Sequence, residues 1–226
     1  MLLDFDGPVC TLLPQDRLPV LAGRFTDVIR ARGIPVPDTP PLRADPLESL
    51  RFAAGTGDAD LTRALEDMMC AVEAEAAGEA PATDGAATAL RDLHAAGLAV
   101  VIVSNNAAEA IRIHLERVGL AHCVAAVVGR PYARPWLMKP SPAPVRRALS
   151  LLSADPSGCV LIGDSVNDVQ SATAAGVRCV GYAPDGGGRL LAAGADDVIS
   201  HMGDAFHAVV TGPRRGNGSN QTWQEL

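Results

Sequence analysis

From residue 84 onward, short apolar runs alternate with amphipathic stretches, several of which stop at a glycine. The run 98–103 (LAVVIV) is uniformly apolar, as a strand buried on both faces is. Further runs at 123–128, 159–162, 177–181 and 197–199 read as strands. Helical periodicity fills the gaps at 84–96, 106–118, 167–175 and 202–210, and a further helix opens at Ser141-Pro142, read as an N-cap and first-turn pair. Strands and helices in regular alternation imply a parallel sheet covered on both faces: a doubly wound α/β fold.

One more strand opens the chain, at 1–5, ending in Asp6-Gly7-Pro8. Between it and the alternating part lies a block of another kind, about 11–83, with no strand pattern. Leu18, Leu21, Phe25, Val28 and Ile29 fall near a helical period. Pro35, Pro37, Pro40 and Pro41 read as a break, and helices are expected again near 45–54 and 58–77. The block is too long for one crossover and reads as an inserted helical domain.

Composition narrows the partners. The 226 residues carry a formal net charge of -7, which argues against nucleic-acid or anionic-membrane binding. No apolar run approaches the roughly 20 residues of a membrane span, and no secretion signal is visible. Five cysteines without a CxxC pair read as reduced thiols of a cytoplasmic protein and make zinc an unexpected ligand.

Open parallel sheets place ligands beyond the carboxyl ends of their strands, so the residues following each strand are the candidates for chemistry. Asp4 and Asp6 flank Phe5 at the first strand's end. Such a pair can hold a hard cation and divide nucleophilic and acid–base roles; it can also be an acidic turn. Ser104, followed by Asn105, stands where a hydroxyl and backbone N–H groups suit a phosphate oxygen, or where a residue simply caps a helix. Lys139 is the only lysine among 19 basic residues. In a chain that otherwise uses arginine, it reads as a required point charge rather than a planar fork, against the usual solvated surface lysine. Asp164 ends an apolar run and Asp168 follows one helical turn later, so both can face one centre; the same residues can start a helix. Taken together, these are four carboxylates, one hydroxyl and one ammonium on one sheet edge. Clustered carboxylates repel unless a cation neutralises them, and oxygen-only ligands select Mg²⁺ or a similar ion.

In order and strand context, DFDG at 4–7, Ser104, Lys139 and GDSVND at 163–168 resemble the haloacid dehalogenase superfamily, over about residues 1–211, and its phosphoglycolate-phosphatase-like branch. The resemblance implies a Rossmann-like core over 1–11 and 84–211 and a helical cap over 12–83 hinged near 9–14 and 79–84; the stretch 212–226, polar and rich in glycine and asparagine, reads as a flexible tail. It implies that Asp4 attacks phosphorus and that Asp6 serves as acid and then base. Asp4, Asp6 (through its carbonyl) and Asp164 would hold Mg²⁺. Asp168 would support the metal's water shell or orient Lys139, while Ser104, the Asn105 amide and Lys139 hold the phosphoryl group. The expected reaction is hydrolysis of a small-molecule phosphate monoester through an aspartyl-phosphate. Pyrophosphate or nucleotide hydrolysis, and a non-catalytic phosphate-binding module, are the alternatives. One departure is Pro8, where the family often has threonine. Arg24, Arg43 and Arg51 are candidates for a second substrate anion, or plain surface charges. His114 reads as a packed histidine, and the Glu-rich run 73–79 as a solvated helix end.

Overall fold

The computed structural model describes residues 1–211. The expected tail, 212–226, lies outside the described residues. Six parallel strands form one sheet: β1 (Leu2–Leu3), β2 (Val101–Val103), β3 (Ala126–Val128), β4 (Val160–Gly163), β5 (Arg178–Tyr182) and β6 (Asp197–Ile199). Their order is β3-β2-β1-β4-β5-β6. The order reverses around β1, so the carboxyl ends of β1, β2 and β4 lie side by side at the switch point, where such sheets bind ligands.

Alternation along each strand builds two cores. Leu3, Ile102 and Ile162 face one side of the sheet, and Leu2, Val101 and Leu161 the other. The first side is covered by helices that include α5 (Ala86–Ala95) and α6 (Ala108–Arg117), the second by α7 (Ala143–Leu152) and α8 (Val166–Ala175). Short helices α9 (Gly188–Ala192) and α10 (Ala205–Thr211) complete this part.

Between β1 and α5 come α1 (Leu18–Ala31), α2 (Pro40–Ala44), α3 (Pro46–Gly55) and α4 (Ala59–Ala77). The predicted break holds across Pro35 and Pro37, and α2 begins at the last two prolines of the cluster. Its prolines occupy the first turn, where a missing N–H and a fixed φ are tolerated. Asp58 caps α4, accepting from the Leu61 amide at 2.9 Å, and the face carrying Leu61, Leu65 and Met69 is buried. The two segments joining this helical block to the sheet pair with each other. Thr11 N donates to Pro81 O at 3.1 Å, Thr83 N to Val9 O at 2.9 Å, and the Thr83 hydroxyl to Gly7 O at 2.5 Å.

His114 is fully buried on α6, edge-on to Phe5 with ring centroids 5.4 Å apart. Burial, reinforced by the Arg117 charge, pulls its pKa down to about 4, so it stays neutral and packed. No helix among the described residues is long and apolar enough to cross a membrane.

Candidate active site

The four sequence-distant groups meet beyond the ends of β1, β2 and β4. Asp4 leaves β1 with its amide still bonded to Ile162 O of β4 at 2.8 Å. Ser104 follows β2, its amide bonded to Val128 O of β3 at 3.0 Å. Asp164 follows β4. Lys139 comes from the loop between β3 and α7, and its side chain is 2% exposed, so it is not the solvated lysine of the plain reading.

The three protons of that ammonium have three acceptors: Val103 O at 3.0 Å, Asp4 Oδ1 at 2.8 Å and Asp168 Oδ1 at 2.5 Å. Burial works against the charged form, but the carboxylates of Asp168 and Asp4 outweigh it and hold the Lys139 pKa above its ordinary value. The main chain of Lys139 is fixed as well. Its amide donates to Asn105 Oδ1 at 2.8 Å, and Asn105 Nδ2 donates to its carbonyl at 3.1 Å. The Asn105 side chain therefore positions Lys139.

The two carboxylate oxygens of Asp168 face different partners. Its Oδ2 accepts from the Ser165 amide at 3.1 Å and hydroxyl at 2.5 Å, closing a capping box that starts α8, while Oδ1 faces Lys139. Ser104 Oγ donates to Asn106 Oδ1 at 2.9 Å and accepts from the Asn106 amide at 3.2 Å. The loop after β2 is thus a preformed turn at the start of α6.

Carboxylate oxygens of Asp4, Asp164 and Asp168 lie within 4.8 Å of one another. Burial and the Asp168 charge raise the Asp4 pKa well above the ordinary carboxylate range, and Lys139 offsets this only in part. Burial, then the charges of Asp168 and Asp6, push Asp164 up to about 7. Burial pushes Asp6 up to about 6; the Leu12 amide, donating to Oδ1 at 2.8 Å, limits the rise, and the Glu73 charge adds to it. Four acids against one ammonium leave a surplus of negative charge that a divalent cation would neutralise. The donors are all oxygen, which suits a hard ion. Gly7 makes room for this cluster: it has φ +95°, and a Cβ there would collide with the Asp164 carboxylate.

These groups line a cavity of about 530 Å³ that includes Asp4, Asp6, Ser104, Asn105, Lys139 and Asp164. Its opposite wall comes from the helical block and the segment leading into it, with Leu13, Leu18, Leu47 and Met69 among its lining.

A second polar cluster ties that block to the sheet. Arg130, just after β3, is buried between two α4 carboxylates: its Nε is 2.7 Å from Glu66 Oε1 and its Nη1 2.8 Å from Glu73 Oε1. Arg130 Nη1 also donates to Asn105 O at 2.8 Å. Glu73 further accepts from Asn106 Nδ2 at 3.1 Å and from the Ala107 amide at 2.9 Å. Glu73 is therefore no solvated helix end; it is fully buried against the loop that carries Ser104. The sequence signal was its register. Glu66 and Glu73 are seven apart and follow the Leu65 and Met69 stripe, where a solvated glutamate does not belong. Arg24 and Arg43 stand outside the cavity. Arg51 reaches toward the site, but pairs with Glu48 and donates to Lys139 O at 2.8 Å.

Residues 27–176 match the family model described as haloacid dehalogenase-like hydrolase. The chain is 30% identical over 215 residues to a phosphoglycolate phosphatase of Caulobacter vibrioides, covering 92% of this chain and 84% of that one. It is 32% identical over 120 residues to the pyrophosphatase PpaX of Bacillus velezensis, covering 52% and 55%. In that match and several others, the chain spans about half the relative's length or less. A similar solved structure is a haloacid dehalogenase family hydrolase of Deinococcus radiodurans R1 with bound phosphate and sodium. It is 26% identical, with a TM-score of 0.58 over 92% of this chain and 93% of that one.

Proposed function

The chain belongs to the haloacid dehalogenase-like hydrolases, and from that premise we propose that it is a Mg²⁺-dependent phosphatase of small phosphate monoesters, working through an aspartyl-phosphate on Asp4. The observation that carries the reading is the buried Lys139 ammonium, 2.8 Å from Asp4 and flanked by a carboxylate cluster at one cavity. With its carboxylates neutralised by a divalent cation, a cavity holding the Lys139 ammonium suits a dianionic phosphoryl group, whose transfer depends mainly on positioning and charge neutralisation.

In this account Ser104, the Asn105 amide and Lys139 hold the phosphoryl oxygens. An Asp4 carboxylate oxygen attacks phosphorus, and the bond from phosphorus to the ester oxygen breaks. Asp6, with a pKa near 6, gives its proton to the departing oxygen. The Asp6 carboxylate then takes a proton from water as that water attacks phosphorus, which frees Asp4 and releases phosphate. Asp4 and Asp164 carboxylates and the Asp6 carbonyl would hold Mg²⁺, which supplies charge neutralisation to the phosphoryl group. Asp168 keeps Lys139 in place. Residues 12–83 act as a cap, with the paired segments around Thr11 and Thr83 as its hinge, closing over the leaving group and excluding water.

The test is turnover of p-nitrophenyl phosphate by the full chain. With Mg²⁺, steady hydrolysis is expected; excess chelator should lower it at least about 100-fold, and added Mg²⁺ should restore it. Undiminished turnover in chelator would contradict the metal's role, and absence of turnover with Mg²⁺ would contradict the phosphatase reading.

A further inference from the structure

We infer that the preferred substrate is a phosphate monoester whose leaving group is apolar near the ester and carries no second anion. This rests on the phosphatase reading above and adds the substrate class. The leaving oxygen departs on the side of phosphorus opposite the nucleophile, so the leaving group points from Asp4 toward the wall supplied by the helical block.

That wall is lined by Leu13, Leu18, Leu47 and Met69, and its polar groups are Thr11, Gln15 and Asp45. Among the described residues it presents no lysine or arginine. Arg51, whose charge reaches Asp45, is occupied by Glu48 and the Lys139 carbonyl, and Arg17 lines an adjoining groove that shares Leu13 and Leu18 with this wall. Arg43 pairs with Asp38 at 3.2 Å on the surface, and Arg24 lines a different groove with Glu75 and Glu79. Arg189 does border the cavity, from the sheet side, where it donates to Asp164 O at 3.2 Å, beside the acids rather than on the leaving-group wall.

Asp45 supplies the discrimination. It caps α3, accepting from the Leu47 amide at 2.8 Å, which fixes its carboxylate at the cavity rim. A carboxylate or second phosphate on the leaving group would lose its water to an apolar wall, gain no cationic partner and meet a like charge. A neutral chain loses little there, and an ammonium gains an ion pair with Asp45. The same wall disfavours pyrophosphate, whose leaving group is itself an anion.

The experiment compares kcat/KM, with saturating Mg²⁺, for n-propyl phosphate, phosphoethanolamine, 2-phosphoglycolate and pyrophosphate, with p-nitrophenyl phosphate as a control. The two esters without a second anion should exceed the other two by at least about tenfold. Asp45→Asn keeps the helix cap and removes the charge. It should raise kcat/KM for phosphoglycolate by about three- to tenfold, leave n-propyl phosphate within about twofold and lower phosphoethanolamine. Preference for phosphoglycolate or pyrophosphate, above all one lost in Arg189→Gln, would overturn this inference while leaving the phosphatase reading standing. An Asp45→Asn variant with unchanged ratios would overturn it too. No turnover of any ester, the control included, would remove the phosphatase reading and this inference with it.

Discussion

Asp4→Asn lowers turnover by about three to five orders of magnitude and leaves the protein folded, because it removes the attacking oxygen and little else. The Phe5 amide donates to Asp4 Oδ1 at 2.7 Å, a contact an asparagine carbonyl can keep. The Lys139 ammonium keeps Asp168 and the Val103 carbonyl as acceptors. The substitution also relieves repulsion. Asp4 is a buried acid whose pKa is raised first by burial and then by Asp168, so a neutral amide there should not destabilise the metal-free protein. Thermal unfolding and turnover, measured on the same preparation, separate the two effects. A variant that unfolds like wild type and hydrolyses p-nitrophenyl phosphate at a near-normal rate would remove Asp4 as nucleophile.

The second large effect lies in stability. Arg130→Met leaves Glu66 and Glu73 buried without their cation, and breaking one side of a buried ion pair costs about 3–5 kcal/mol. The loss should appear as a lower denaturant midpoint with little change in slope. Removing the acids as well, in Arg130→Met/Glu66→Leu/Glu73→Gln, should recover much of it, because hydrophobic and neutral groups then fill the space. Glutamine at 73 can still accept from the Ala107 amide. If Arg130→Met unfolds within about 1 kcal/mol of wild type, the cluster does not anchor the helical block. Turnover reports a second consequence. Arg130 holds the Asn105 carbonyl, so its loss should loosen the Ser104–Asn106 turn and lower kcat more than the fold loss explains.

What could be read from the chain beforehand follows from how local each signal is. Asp4, Ser104 and Asp164 each stand just after a short apolar strand, so their arrival at one sheet edge follows from the parallel fold itself. Lys139 stands out by composition, as the one lysine among arginines, and the structure buries it. The Arg130 cluster had no comparable signal. Its partners are 57 and 64 residues away, on a helix of another layer, and only the register of Glu66 and Glu73 hinted at burial. The proline cluster was legible in part: the first helix does end before Pro35 and Pro37. Pro40 and Pro41 begin a helix rather than end one, because the first turn has no use for their missing N–H groups. The sequence points to Asn105 acting through its amide, and its side chain has a separate task, clamping the main chain of Lys139.

Covalent chemistry at Asp4 is central to the proposed reaction, and acid quenching during steady turnover tests it most directly. Wild-type protein with Mg²⁺ and p-nitrophenyl phosphate is stopped in acid, treated with hydroxylamine and digested for mass spectrometry. The expected product is a hydroxamate at Asp4 in the N-terminal peptide, absent without substrate. Steady release of phosphate with Asp4 unmodified, or with the adduct on another residue, would contradict it.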